Sequence, residues 1–154
     1  MRISIVAVGR LARGPEADLV KLYAERATAA GRALGLGPVD VVEVESRKPG
    51  KAAEALALRA HLADAHVIAC DERGRAQASR AFAQEIAGLR DRGVRRLMFL
   101  IGGADGLDPA LVSETNSKLA FGPQTWPHAL ARAMLAEQIY RAVSILAGSP
   151  YHRD

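Results

Sequence analysis

Among the side chains of this 154-residue chain that could act as a base, a nucleophile or a metal ligand, four histidines and one cysteine stand out. A histidine exchanges protons near neutral pH, because its ordinary pKa is about 6.5. His61 and His66 flank an apolar run and read most simply as partly exposed polar residues. His128 follows Pro127 at the start of a helical segment. It reads equally as a helix cap and as a site residue. His152 lies in the closing segment SPYHRD, between Tyr151 and Arg153. An aromatic ring, an imidazole and a guanidinium in succession are the side chains that stack on an unpaired base and hold its phosphate. The same segment also reads as a solubilising fringe, since order normally fades at a terminus. Cys70 sits in an apolar run and reads as a buried, inert thiol; a lone cysteine forms neither an internal disulfide nor a multi-cysteine metal motif.

Three glycine- or proline-containing stretches form the second group of candidates: DERGR (71–75), GGADGLD (102–108) and FGPQTWP (121–127). Glycine lets backbone amides approach a ligand closely. GGADGL lacks the GxGxxG order of a dinucleotide site and the GK[ST] ending of a phosphate loop, and HExxH and GxSxG are absent. NAD, ATP, hydrolase and metalloenzyme readings therefore lose their usual support, and no metal is expected. Taken alone, the glycine pair reads as a structural turn.

The elements that must position these stretches follow from the apolar pattern. ISIVAV (3–8), VDVVEV (39–44), HVIAC (66–70) and RLMFLI (96–101) are short, β-branched or apolar runs that read as strands, and 117–121 reads as one more. Alanine-rich segments of helical spacing lie between them, at 16–34, 52–62 and 79–89. Asp108 followed by Pro109 marks a further helix start. A last helix is expected over about 127–147, with Leu130, Met134, Ile139, Val143 and Leu146 on one stripe. Alternation of strand and helix implies an α/β fold with a mostly parallel sheet. Ligands in such sheets bind beyond the carboxyl ends of the strands, where all three glycine or proline stretches fall.

The length suits one domain spanning 1–154, and neither a repeat nor a low-complexity linker divides it. No apolar run approaches the roughly eighteen residues of a membrane span, and the opening MRISIVAVGR reads as a strand rather than a signal peptide, so a cytoplasmic protein with no membrane partner is expected. The net charge of +4 permits an anionic partner without requiring one. Arginine outnumbers lysine, which suits forked recognition of phosphate, although a high-GC coding sequence produces the same bias.

FLIGGADGL (99–107), TWPHALARAMLAEQIYRA (125–142) and the terminal PYHRD (150–154), together with VAVGR near the start, resemble the small single-domain SPOUT family of bacterial ribosomal large subunit pseudouridine N3-methyltransferases. The resemblance spans essentially the whole chain. It implies an α/β fold with flanking helices and a C-terminal trefoil knot, a homodimer, and S-adenosylmethionine bound in the knot's loops. It implies further that the enzyme methylates N3 of a pseudouridine in 23S ribosomal RNA, on the ribosome, a subunit or the free RNA. Carried over by position, the cofactor contacts are Cys70, Gly103 and the segment Gly122, Pro123, Gln124, Thr125, Trp126 and Pro127. The family usually has a leucine-like residue at the position of Cys70 and SxM or SxL where this chain has Gly122 to Gln124, so main-chain contacts carry over more directly than side-chain ones. The resemblance implies a substrate-facing role for Tyr151, His152, Arg153 and Arg141, with His152 as base or positioning residue. Arg141 also has Glu137 four residues before it, a plain helical surface pair. Two other readings compete with this one: a nucleotide-binding α/β enzyme of another class, and a non-catalytic RNA-binding protein of ribosome assembly.

Overall fold

The computed structural model describes residues 1–153; Asp154, the last residue of the SPYHRD segment, lies outside the described residues. Five strands form one sheet: β1 (Arg2–Val8), β2 (Val39–Val44), β3 (His66–Ala76), β4 (Arg96–Ile101) and β5 (Ser117–Ala120). Their order is β2-β1-β4-β3-β5 and every pairing is parallel. The helices are α1 (Pro15–Gly31), α2 (Lys51–Arg59), α3 (Ser79–Asp91), α4 (Pro109–Ser113) and α5 (His128–Leu146). A short 3-10 turn, Arg32–Leu34, completes the segment expected as the end of the first helix.

The sheet is covered on both faces, which explains why its strands are apolar nearly throughout. Ile3, Ile5, Ala7, Leu97, Phe99 and Ile101 point into a core shared with α1, α3 and α5. Their alternates Val6, Val8, Met98 and Leu100 enter a smaller core with Ala55 and Leu58 of α2 and Leu111 of α4. Of the five residues of the expected α5 stripe, Ile139 and Val143 are fully buried within the subunit, while Leu130 and Met134 line an open groove.

One expected loop is part of a strand. DERGR continues β3 to Ala76, but the register with β5 breaks: Cys70 and Arg75 both lie opposite Leu119, so Asp71 to Gly74 bulge out of the ladder. The Asp71 carboxylate accepts a hydrogen bond from the Arg73 amide at 2.8 Å, an Asx turn that closes this bulge.

Chain direction reverses its lateral course between β1 and β4. From β1 the chain passes to β2 on one side; from β4 it passes by way of α4 to β5 on the other. The crevice at the carboxyl ends of β1 and β4 is thus the topological switch point of the sheet.

Candidate active site

The loop leaving β4 is fixed by close backbone approach. A Cβ on Gly102 would lie 2.5 Å from the Gly106 carbonyl carbon and 2.6 Å from the Leu107 amide nitrogen, so no other residue fits without moving the loop. Gly103 and Gly106 form a bridge in which the Gly106 amide donates to the Gly103 carbonyl at 3.0 Å. The loop ends at Asp108, whose carboxylate caps α4 by accepting from the amides of Ala110 at 2.8 Å and Leu111 at 3.3 Å.

Sheet order brings the family-derived positions to one edge. Cys70 follows Ala69, which pairs with Leu100, and Cys70 itself pairs with Leu119. It therefore stands between the strand that runs into Gly102 and Gly103 and the strand that runs into Phe121 and Gly122. Gly122 turns the chain with φ 109°, a conformation that favours glycine. Pro123, Gln124, Thr125, Trp126 and Pro127 are exposed. Thr125 Oγ1 donates to Glu72 Oε2 at 2.9 Å, tying this segment to the β3 bulge.

Cys70 is half-buried, and burial pushes its thiol up to about 12. It is thus a neutral thiol at physiological pH, as the apolar run implies, and whatever it contributes comes from its shape and backbone. Beside Gly103 stands the half-buried Glu54: a Cβ on Gly103 would lie 3.2 Å from both its carboxylate oxygens and 3.4 Å from Val8 Cγ1.

The closing segment folds back onto α5. Tyr151 O–H donates to Glu137 Oε1 at 2.9 Å, and Arg141 Nη2 donates to the same oxygen. The Tyr151 ring packs 4.6 Å from Tyr140 and lies under the Arg141 guanidinium at 4.8 Å. Glu137 holds the Arg141 pKa above its ordinary value; burial, with help from Tyr23 and Glu137, raises that of Tyr151. Arg141 Nη1 is 3.3 Å from His152 Nδ1. A guanidinium only donates, so this contact uses the Nδ1 lone pair and places the ring proton of a neutral His152 on Nε2. Arg141 therefore makes the helical pair with Glu137 and the contact with the tail at once. Arg153 is exposed.

A groove of about 550 Å³ between α1, α3 and α5 reaches one residue of each group: its walls include Gly122, beside Phe121, and Glu137, beside Gln138. The remaining histidines are placed elsewhere or differently. His66 begins β3, where burial lowers its pKa, and His61 is exposed. His128 opens α5 with its Nδ1 buried and without a hydrogen-bond partner. Among the described residues no group of histidine, cysteine, aspartate or glutamate is arranged to hold a metal ion, and no helix is long and apolar enough to cross a membrane.

Two residues at this edge escaped the sequence reading, Glu54 and Arg132, and Glu72 was covered only as part of the DERGR stretch. Arg132 is wholly buried, one helical turn beyond His128, with Nη2 donating to the Val8 carbonyl and Nη1 3.4 Å from Glu43 Oε1. A charge inside the apolar run ALARAMLA was the available signal.

A family model described as "Predicted SPOUT methyltransferase" matches residues 1–152. The chain is 86% identical over 154 residues to the ribosomal RNA large subunit methyltransferase H of Phenylobacterium zucineum, with 100% of both chains covered. It is 69% identical over the same length to the protein of that name from a Caulobacter species, again covering 100% of both. Among solved structures, a probable methylase family protein from Haemophilus influenzae aligns with TM-score 0.55 at 15% identity, covering 99% of this chain and 70% of that one. A probable methyltransferase from Bordetella pertussis aligns with TM-score 0.53 at 16% identity, covering 92% and 96%. These two likenesses concern the fold.

Proposed function

Since the chain belongs to the SPOUT methyltransferase family, we propose that it transfers a methyl group from S-adenosylmethionine to N3 of a pseudouridine in 23S ribosomal RNA. The observation that carries this reading is the convergence, on either side of Cys70, of the strand leading into the Gly102–Gly103 loop and the strand leading into the Gly122–Pro127 segment, with Glu137, the tail's anchor, on the groove that Gly122 lines. The names of the relatives, ribosomal RNA large subunit methyltransferases, support the substrate class.

The residues fit such a cofactor. At Gly103 a Cβ would crowd Glu54 and Val8, so the bare backbone leaves a cradle, and a loop of glycine and proline presents main-chain groups rather than charged side chains. Gly103 and the segment from Gly122 through Gln124 to Pro127 would hold it, with Cys70 lining the floor between them. The cofactor supplies a methyl already activated on a sulfonium, so the protein's task is alignment and exclusion of water. Arg141, fixed by Glu137 and lying over Tyr151, stays positively charged to meet phosphate or the developing anionic base. His152 positions the base through Nε2–H while its Nδ1 faces Arg141, and the N3 proton leaves to water. Arg153, exposed at the tail, contacts the RNA backbone.

A homodimer and a trefoil knot belong to the same reading. Leu19 and Leu22 are exposed on α1, and Leu19 shares the groove wall with Leu130 and Met134, an apolar surface that a second copy would cover. β5 lies at the sheet edge beside β3, yet α5 returns across the sheet to reach Val8 at the end of β1, a path compatible with a threaded carboxyl-terminal segment. Work on ribosomal RNA accords with the expected cytoplasmic setting. Calorimetric titration tests the cofactor assignment: S-adenosylmethionine should bind, with NAD, FMN and ATP showing no comparable heat. Preferential binding of one of those three would replace this reading with another nucleotide-dependent activity. Tight ribosome binding without methyl transfer would leave an assembly factor.

A further inference from the structure

Arg132 is fully buried in α5, where its neighbours Ala131, Ala133, Leu135 and Ala136 are also buried. Its Nε has no hydrogen-bond partner, and burial lowers its pKa while Glu43 acts in the opposite direction. Desolvating a guanidinium is expensive, and apolar residues of similar volume commonly replace buried ion pairs with no loss of stability. Packing alone therefore gives little reason for an arginine here.

What an arginine supplies is a link between segments that no apolar chain could make. Nη2 donates to the carbonyl of Val8, the last residue of β1. Nη1 reaches Glu43 Oε1, and that oxygen also accepts from the Leu11 amide at 2.8 Å, in the turn after β1. The Ala131 amide beside Arg132 donates to the Pro127 carbonyl at 2.9 Å, so the helical turn bearing the arginine continues directly from the Gly122–Pro127 segment. On the far side, Val8 Cγ1 stands at the Gly103 cradle. One buried side chain thus joins the start of α5 to the edge of the crevice between β1 and β4.

We propose that Arg132 is a positioning residue, which sets the spacing between the Gly122–Pro127 segment and the Gly103 loop by clamping the start of α5 to Val8 and Glu43. This rests on the reading of those two segments as the S-adenosylmethionine site. Arg132→Met, Arg132→Lys and Glu43→Gln test it, with thermal melting, calorimetric Kd for S-adenosylmethionine, and KM and kcat measured on large ribosomal subunits. Arg132→Met should melt within a few degrees of the parent yet raise the Kd and KM for S-adenosylmethionine roughly ten- to a hundredfold, with a smaller effect on kcat. Arg132→Lys should recover part of the loss, because it keeps the charge and a donor. Glu43→Gln keeps an acceptor for Leu11 but not the charge; it should raise Kd in the same direction by a smaller factor, and it decides the matter should Arg132→Met fail to fold. Parental Kd and KM in Glu43→Gln and in any folded Arg132→Met would overturn the inference. Failure of the parent itself to bind S-adenosylmethionine would instead overturn the cofactor reading on which the inference rests.

Discussion

Glu137 Oε1 accepts hydrogen bonds from both Tyr151 O–H, at 2.9 Å, and Arg141 Nη2, so a single carboxylate fastens the closing segment to the last helix. The tail has a defined seat rather than a solvated path, and it delivers His152 to within 3.3 Å of Arg141.

Removing Tyr151 to Asp154 should consequently separate two effects. Loss of the Tyr151–Tyr140 ring pair and of a hydrogen bond to a carboxylate should lower stability by about 2–4 kcal/mol, a fall in Tm of several degrees for a chain of this size. S-adenosylmethionine binding should persist, while methyl transfer to ribosomal RNA falls by at least about a hundredfold. Undiminished turnover by the truncated chain would remove the tail from the mechanism. His152→Ala and Arg153→Ala, which spare the Tyr151 seat, should reduce transfer without the loss in Tm.

Tyr151 also gives the fold an alkaline limit. Its pKa in the folded chain lies above the ordinary value near 10, first because of burial. Between those two values the unfolded chain has released a proton that the folded chain retains, so stability is complete below pH 10 and declines above it. Ultraviolet titration should show one of the three tyrosines ionising late. Tyr151→Phe should abolish that late step and lessen the alkaline loss of stability; a late step that persists in this variant would assign it elsewhere.

Cys70 should resist alkylation in the folded protein. With its pKa pushed up to about 12, the thiolate is scarce at pH 7–9. The reaction with iodoacetamide should stay far slower than that of a free thiol across that range, rising about tenfold per pH unit with the scarce thiolate, then accelerate on unfolding. The same shift means that stability attributed to the protonated thiol is fully present below its unfolded pKa and is lost as pH rises from there toward 12. Rapid labelling at pH 8 without unfolding would contradict a desolvated site.

Gly102→Ala should be among the most damaging single methyl additions in the chain, because the new Cβ would meet backbone atoms of Gly106 and Leu107 at 2.5 and 2.6 Å. A loss of about 2 kcal/mol or more is expected, with weakened S-adenosylmethionine binding. Gly14→Ala serves as the control: its Cβ would meet only the Glu16 side chain at 3.7 Å, and the change should fall within about 0.5 kcal/mol. Equal tolerance of both would mean that the loop is far looser than its contacts imply.

Much of the fold could be read in the sequence, because its signals are local. β2 and β4 begin and end where their apolar runs do, and α5 occupies His128–Leu146 between Pro127 and Ala147. The β3 extension was hidden because Asp71 and Gly74 are turn-forming types, and the bulge that 71–74 make appears only once β5 lies alongside. Arg132 was hidden for a different reason. Within a helix an arginine reads first as solvent-facing, and the order β2-β1-β4-β3-β5, which brings α5 back to Val8, shows that this one is enclosed. The seat of Tyr151 on Glu137 likewise depends on the chain doubling back after α5, which no periodicity records.

Methyl transfer itself is tested most directly by incubating the chain with methyl-labelled S-adenosylmethionine and ribosomes or large subunits that lack the modification, then mapping the labelled nucleotide. The expected result is label on one pseudouridine of the 23S RNA, attached at N3. Label on a different atom or RNA, or none from a folded chain that binds S-adenosylmethionine, would contradict the assigned reaction.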